Sequence, residues 1–173
     1  MKRINIINVI LENMKKILSV LLLAVVGMTA GSAYANGVFV KNDLLGSITL
    51  GFGNGFGQRV AIDYGVVDGW LDGKASLGVG ASVNNTIGWD FRYDAISVIA
   101  NCSFHYQFVD KLDTYVVAGF GGGIAMAENH FGGGIDWTSA VGLRYYFSPT
   151  MAFNFEAGHT AGCFVNLGLT FRL

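Results

Sequence analysis

Apolar and polar residues alternate along most of the chain after residue 44. The final block shows this most clearly. Cys163, Val165, Leu167, Leu169, Phe171 and Leu173 share one parity, and Gly162, Asn166, Gly168, Thr170 and Arg172 share the other. Only Phe164 departs from the division. Such a period of two residues is typical of a β-strand, in which successive side chains point to opposite faces.

Eight blocks of this kind are separated by clusters of Gly, Asn and Asp. Their ranges are 45–53, 58–66, 74–83, 95–108, 113–126, 137–147, 150–158 and 162–172. We find no long stretch with the 3.6-residue period of an amphipathic helix. The pattern predicts an all-β domain with an even number of strands.

The less apolar parity of these blocks carries mainly small, uncharged residues, with glycines at positions 51, 65, 78, 80, 119, 121, 142, 158 and 168. Such a face suits the interior of a narrow eight-stranded barrel, where few long side chains fit. The apolar face then meets lipid, and the sheet must close because open edges are not tolerated in hydrocarbon. We therefore predict an eight-stranded antiparallel, up-and-down transmembrane β-barrel. The alternative is a soluble periplasmic, lipocalin-like barrel that binds a ligand, although that fold needs a charged exterior.

Composition supports the membrane interpretation. Of the 173 residues, 52% are hydrophobic and only 13% are charged. Beyond residue 27 no apolar stretch reaches the roughly 18 residues that a membrane-spanning helix needs. Because 11 Lys and Arg face 12 Asp and Glu, no basic field exists to bind nucleic acid.

The N-terminal residues 1–35 are typical of a cleaved signal peptide. Lys15 and Lys16 precede an apolar stretch over 17–28, and the small residues of Ala33-Tyr34-Ala35 predict cleavage before Asn36. Translation from Met14 is an alternative start. The predicted barrel domain then comprises residues 36–173.

Several runs carry a resemblance to a known family. Val141-Gly-Leu-Arg-Tyr-Tyr-Phe-Ser-Pro-Thr150, Phe155-Glu-Ala-Gly158 and Val165-Asn-Leu-Gly-Leu-Thr-Phe-Arg-Leu173 resemble the last three strands of small outer-membrane β-barrel proteins. Phe104-His-Tyr-Gln-Phe108 and Asp110-Lys-Leu-Asp-Thr-Tyr115 resemble their central hairpin. The chain is thus similar to the OmpX-like and OmpA-barrel class of Gram-negative bacteria. The resemblance implies location in the cell outer membrane, contact with its lipid, and assembly by the barrel-insertion machinery.

Seven titratable residues fall on the predicted lumen parity: Arg59, Asp63, Lys74, His105, Arg144, Glu156 and Arg172. Charges in a narrow lumen need partners, and we expect Glu156 to pair with Arg144 or Arg172. We interpret the set as a structural network in a lumen filled by side chains. A narrow channel for ions or small solutes is the alternative.

Two outer loops, 84–94 and 127–136, are predicted to form the exposed surface. Their candidate contact residues for an unknown surface ligand are Trp89, Phe91, Arg92, Tyr93, His130 and Phe131. The predicted role is therefore structural or one of surface interaction.

Catalysis and cofactors receive little support from the sequence. A lipid-modifying enzyme would need a Ser and a His, or a His and an Asp, at the outer rim, where His130 and His159 are candidates. No G-x-S-x-G motif accompanies them. The histidines are scattered and the cysteines lack C-x-x-C spacing, so we expect no metal or cofactor. Cys102 and Cys163 share the lipid-facing parity on opposite strands, which predicts no disulfide.

Overall fold

The computed structural model describes residues 39–90, 92–127 and 130–173, which form a closed antiparallel barrel. Its strands are β1 (Leu44–Gly53), β2 (Gly55–Gly69), β3 (Ala75–Gly88), β4 (Tyr93–Val109), β5 (Leu112–Ala127), β6 (His130–Tyr146), β7 (Met151–Thr160) and β8 (Cys163–Arg172). A helical turn, Trp70–Gly73, joins β2 to β3. Each strand pairs with its chain neighbours, and β8 pairs with β1. The predicted eight-stranded up-and-down topology is confirmed, whereas the predicted signal peptide lies outside the described residues.

The alternation of residue types decides which side chains enter the lumen. In β4, Ser97, Ser103 and His105 are buried, whereas Val98 and Ile96 between or beside them are exposed. The same arrangement, with polar side chains buried and apolar side chains exposed, recurs around the barrel. The exposed apolar residues include Leu50, Ile62, Val83, Phe120, Val141, Phe153 and Leu167. A polar interior within an apolar exterior is the arrangement of a barrel surrounded by lipid. No helix in the described ranges is long and apolar enough to cross a membrane.

The strands differ in length, and this gives the barrel an uneven outer rim. β4, β5 and β6 contain 17, 16 and 17 residues, whereas β7 and β8 contain 10 each. Pairing of β6 with β7 ends at Thr138 and Thr160, so residues 130–137 of β6 extend past β7. We call residues 93–97, 122–127 and 130–136 the raised wall. It rises about 15–20 Å above the β7–β8 turn, given the rise per residue and the tilt of barrel strands.

The raised wall corrects both predicted outer loops. β3 continues to Gly88, β4 begins at Tyr93 and β6 begins at His130, so only 89–92 and 128–129 connect strands there. Glycine and asparagine residues interrupt the alternation in these segments. Pairing of 84–87 with β4 and of 130–136 with β5 nevertheless prolongs the sheet there.

A β-bulge at the start of β8 accounts for the irregular Phe164. The register with β1 shifts between the pair Phe52–Val165 and the pair Gly53–Cys163. The extra residue leaves Phe164 and Val165 exposed and turns Cys163 inward, where it is 2% exposed. The prediction that Cys163 faces lipid is therefore wrong, whereas Cys102 is exposed on the outer face. Both thiols are free.

Candidate functional site

Four ionisable side chains meet in the half of the lumen nearest the β4–β5 turn. Arg144 reaches Asp63 through Nη2 at 3.2 Å and Asp113 through Nη1 at 3.4 Å. His105 Nδ1 lies 3.0 Å from Asp113 Oδ1, and its Nε2 lies 2.9 Å from Ser103 Oγ. Asp113 and Arg144 are direct partners in the β5–β6 ladder, so the sheet itself places one ion pair. We call Asp63, His105, Asp113 and Arg144 the ion cluster.

His105, Ser103 and Asp113 have the spacing of a Ser-His-Asp triad, but the hydrogen bonds run in the opposite direction. Ser103 Oγ donates to Asp63 Oδ1 at 3.0 Å, so it accepts from His105 Nε2. The other ring nitrogen donates to Asp113. In a catalytic triad the serine instead donates to a neutral imidazole. Ser103 is itself buried, with only 3% of its surface exposed.

A second ion pair spans the lumen at mid-height. Arg59 Nη1 on β2 binds Glu156 Oε2 on β7, and both residues are buried. The Tyr115 hydroxyl donates to Glu156 Oε1 at 2.7 Å, and its ring lies 4.3 Å below the Arg144 guanidinium. The prediction that Glu156 pairs with Arg144 or Arg172 is wrong. Glu156 reaches across the lumen to β2, whereas Arg144 and Arg172 lie nearer the other end and bind aspartates there.

The chain before β1 closes the end of the barrel that carries the helical turn. Ser76 Oγ donates to the Phe39 carbonyl at 2.9 Å, and Asn42 N–H donates to the Gly65 carbonyl at 2.8 Å. Asp43 pairs with Arg172 Nη2 at 3.1 Å. Burial raises the pKa of the Asp43 carboxyl, while the Val40 N–H and the Arg172 charge act in the opposite direction. Residues 39–43, which we call the inner plug, are thus bound to β2, β3 and β8.

The seven predicted lumen residues separate into six that interact in the barrel and one that does not. Lys74 is exposed in the turn before β3, because β3 begins one residue later than its predicted block. Sequence reasoning missed Asp113 and Asp43. Asp113 has the same parity as the small and polar face of its strand, so alternation alone was sufficient to find it. Asp43 precedes the first strand and has no parity signal.

The half of the lumen nearest the raised wall is polar but lacks charge pairs. Six side chains there have a buried nitrogen or oxygen without a partner among the described residues: Thr49, Asn84, Asn101, Thr138, Thr160 and Asn166. Buried polar groups of this kind are normally satisfied by internal water. The barrel therefore has an ion-paired inner half and an outer half in which these buried polar side chains are uncharged.

An open cleft lies above this polar region, on the concave face of the raised wall. The β7–β8 turn forms its floor, where Thr86 Oγ1 donates to the Ala161 carbonyl at 2.7 Å and Asn54 N–H donates to the Gly162 carbonyl at 3.0 Å. The cleft has a volume of about 550 Å³. We call it the outer cup.

The candidate contact residues fall in different places around the outer cup. Tyr93, His130 and Phe131 line it. Trp89 Nε1 donates to the Gly53 carbonyl at 3.0 Å, and Arg92 is exposed in the 89–92 turn. Phe91 lies outside the described residues.

The second candidate histidine, His159, lies in β7 rather than in a loop. Its ring stacks on Trp137 with centroids 4.1 Å apart. Trp137 and Phe164 flank it on the outer face, where such rings mark a membrane interface. Within the described ranges, no three His, Cys, Asp or Glu side chains are grouped to hold a metal ion.

Comparisons with known proteins bear on the fold. No protein-family model matches the sequence, and no curated protein matches it. A solved de novo designed transmembrane β-barrel is 20% identical with a TM-score of 0.53, over 77% of this chain and 97% of that one. The N-terminal β-barrel domain of Pseudomonas aeruginosa OprF is 16% identical with a TM-score of 0.52, over 77% of this chain and 98% of that one. The chain therefore has the fold of small transmembrane β-barrels, as its sequence resemblance implied.

Proposed function

We propose that this protein is an outer-membrane barrel that presents the raised wall at the cell surface as a binding surface for other molecules. The observation that carries the proposal is the free edge of β6. Residues 130–137 pair with β5 on one side, but no described strand pairs with them on the other. A free edge offers unpaired N–H and C=O groups to an incoming strand.

The free edge lacks two of the features that usually protect such strands from pairing, and Asp136 is its one carboxylate. It contains no Lys, Arg or Pro, and its centre is Gly132-Gly133-Gly134. Glycine leaves the edge without side chains that would obstruct a second backbone. The partner that this chemistry fits is an extended peptide segment, added to the sheet as a further strand.

The lumen supports binding rather than transport. The ion cluster and the Arg59–Glu156 pair occupy the inner half and the middle of the lumen with side chains that bind one another, and the inner plug covers one end. A catalytic role has no support in the reversed hydrogen bonds of Ser103. The role that we propose is therefore that of a rigid surface-binding barrel without transport or catalysis.

The cellular location and orientation have a direct test. Folded barrels migrate differently in electrophoresis before and after boiling, so the outer-membrane fraction should show a heat-dependent shift. Ala127→Cys, on the raised wall, should react with a membrane-impermeant maleimide on intact cells. Asp110→Cys, in the exposed β4–β5 turn, should react only after permeabilisation. The reverse labelling pattern would contradict the proposed orientation.

Strand binding can be tested with a labelled peptide of alternating Thr and Val, about as long as a typical strand of 5–6 residues. Ile135→Lys places a charge beside the free edge of β6, on a side chain that is 87% exposed. Ile124→Lys is the matched control, because β5 is paired on both sides. We expect Ile135→Lys to weaken binding by about tenfold or more and Ile124→Lys to leave it unchanged. Equal effects of the two variants would count against the edge.

A further inference from the structure

The apolar outer face of the barrel continues past the point where the membrane ends. β7 and β8 contain 10 residues each, which is the length that a transmembrane strand needs, so the raised wall stands beyond the hydrocarbon. The period of two residues nevertheless continues along the wall. The positions that share the parity of the lipid-facing residues are still occupied by large apolar side chains: Ile96, Ile124, Met126, Phe131 and Ile135. We call these five residues the apolar wall face.

The apolar wall face is exposed to a degree that is unusual outside a membrane. Its five side chains are 44–87% exposed. In β5 and β6 beyond Trp137, the other residues of this parity are Gly122 and Gly133, so no charged side chain interrupts the face there. A contiguous apolar patch in water commonly marks a site of interaction.

Two members of this face lie on the free edge of β6 and lack neighbours on the same side. Ile135 is 87% exposed because Gly122, its partner in β5, has no side chain, and because β7 ends at the level of Thr138. Phe131 is opposite Met126 in β5, and no described strand lies on its other side. The open sides of Phe131 and Ile135 therefore coincide with the unpaired backbone groups of the edge.

We infer that the free edge binds an amphipathic strand of another protein at the cell surface, with an apolar residue at every second position. Side chains of adjacent strands stand about 5 Å apart on a shared face. The apolar residues of the partner would pack against Phe131 and Ile135 and extend the apolar wall face. Its intervening residues would lie on the opposite face, beside Asp136, where polar side chains stay hydrated. The inference rests on the proposed strand binding and specifies the partner.

The pattern of the partner is what the apolar wall face would select. Main-chain hydrogen bonds at a free edge accept any extended peptide, and alternate side chains then provide specificity. Two peptides of identical Thr and Val content separate these contributions. One has Val at every second position. The other has its residues ordered as Thr-Thr and Val-Val pairs, so that each of its faces is half apolar. We expect the full barrel in lipid nanodiscs to bind the alternating peptide about fivefold more tightly or better.

Substitutions on the apolar wall face test where this preference arises. The double variant Phe131→Thr, Ile135→Thr makes the edge polar and leaves its backbone groups in place. Ile96→Thr is the matched control, because Ile96 has the same parity but lies two strands away from the edge. We expect the preference for the alternating peptide to fall to within about twofold in the double variant and to persist in Ile96→Thr. All variants should keep the heat-dependent shift of the folded barrel.

Exposure of the face to water is checked on intact cells. Ile135→Cys should react with a membrane-impermeant maleimide. Val141→Cys, which has the same parity in β6 but lies in the lipid-facing belt, should not react. Protection of Ile135→Cys would place the apolar wall face in lipid or against a second copy of the chain, and would overturn the inference.

The peptide measurements separate this inference from the proposed function. Equal binding of the two peptides, or an unchanged preference in the double variant, would overturn the inference while strand binding at the edge still stands. Binding of neither peptide would contradict the proposed function and the inference together.

Discussion

The ring of Phe39 packs against the imidazole of His105 with centroids 4.0 Å apart. A residue that precedes the first strand thus lies inside the barrel, directly against the ion cluster. Tyr115 stacks on the other side of the same imidazole at 5.1 Å. The inner plug and the ion cluster therefore pack against each other. Substitutions can separate their contributions to the stability of the barrel and to the closure of its lumen.

Phe39→Ala removes a large buried ring from the inner plug. We expect the free energy of unfolding to fall by about 3 kcal/mol or more, as for other buried aromatic residues. Conductance in planar bilayers should remain at background, because the ion cluster still fills the lumen. Trp70→Ala, in the exposed turn at the same end, is the control and should change neither quantity. A conductance above background in Phe39→Ala would show that the inner plug, rather than the ion cluster, blocks the passage of ions.

The Arg59–Glu156 pair should show strong energetic coupling. Glu156→Gln leaves the Arg59 guanidinium buried without a counter-charge, which we expect to lower the free energy of unfolding by about 3–5 kcal/mol. The double variant Arg59→Met, Glu156→Gln should lose less than the sum of the two single variants. Urea unfolding in lipid vesicles, followed by tryptophan fluorescence, measures all four corners of the cycle. Strictly additive losses would show that the pair does not interact.

Gly142 should tolerate no side chain because Tyr115, its cross-strand partner, covers it. A Cβ at Gly142 would lie 2.2 Å from Tyr115 Cζ. We expect Gly142→Ala to destabilise the barrel by about 1–3 kcal/mol through overpacking. Gly122→Ala is the matched control, since its nearest contact is the Gly134 carbonyl oxygen at 3.7 Å. A smaller loss at Gly142 than at Gly122 would contradict the packing.

The two thiols should differ in reactivity because the β8 bulge places them on opposite faces of the barrel sheet. We expect Cys102, which faces lipid, to be modified by a lipid-soluble maleimide in the folded barrel. Cys163, buried in the lumen beside Gly51 and Gly57, should be modified only after unfolding. Mass spectrometry of the labelled peptides decides between them. Similar labelling of both thiols in the folded barrel would mean that Cys163 faces outward.

The fold could be predicted because its signal is local. Each strand can be recognised from its own alternation of apolar and polar residues. Within a strand, the positions with small or polar side chains are those that face the lumen, and no other strand is needed to identify them. The ends of the strands at the outer rim were not predictable in this way. Gly132, Gly133 and Gly134 are typical of a loop, and only their pairing with β5 makes them a strand.

The partners within the lumen required the closed barrel. Arg59 and Glu156 are far apart in the chain and lie on strands that do not pair, so no sequence spacing connects them. Cys163 illustrates a different limit. A single bulge residue reverses which face the residues on its far side occupy, here Cys163. In the sequence, only the irregular position of Phe164 indicated the bulge.

The unequal strand lengths also have a consequence in the plane of the membrane. A barrel with a level rim presents the same height on every side. In this barrel the outer rim is high on the side of β4–β6 and low on the side of β7–β8, which we call the front. Both the free edge of β6 and the mouth of the outer cup open toward that front. A molecule that diffuses within the same bilayer would therefore encounter a different surface of the barrel depending on the side from which it approaches. Rotation about the membrane normal becomes a step in recognition.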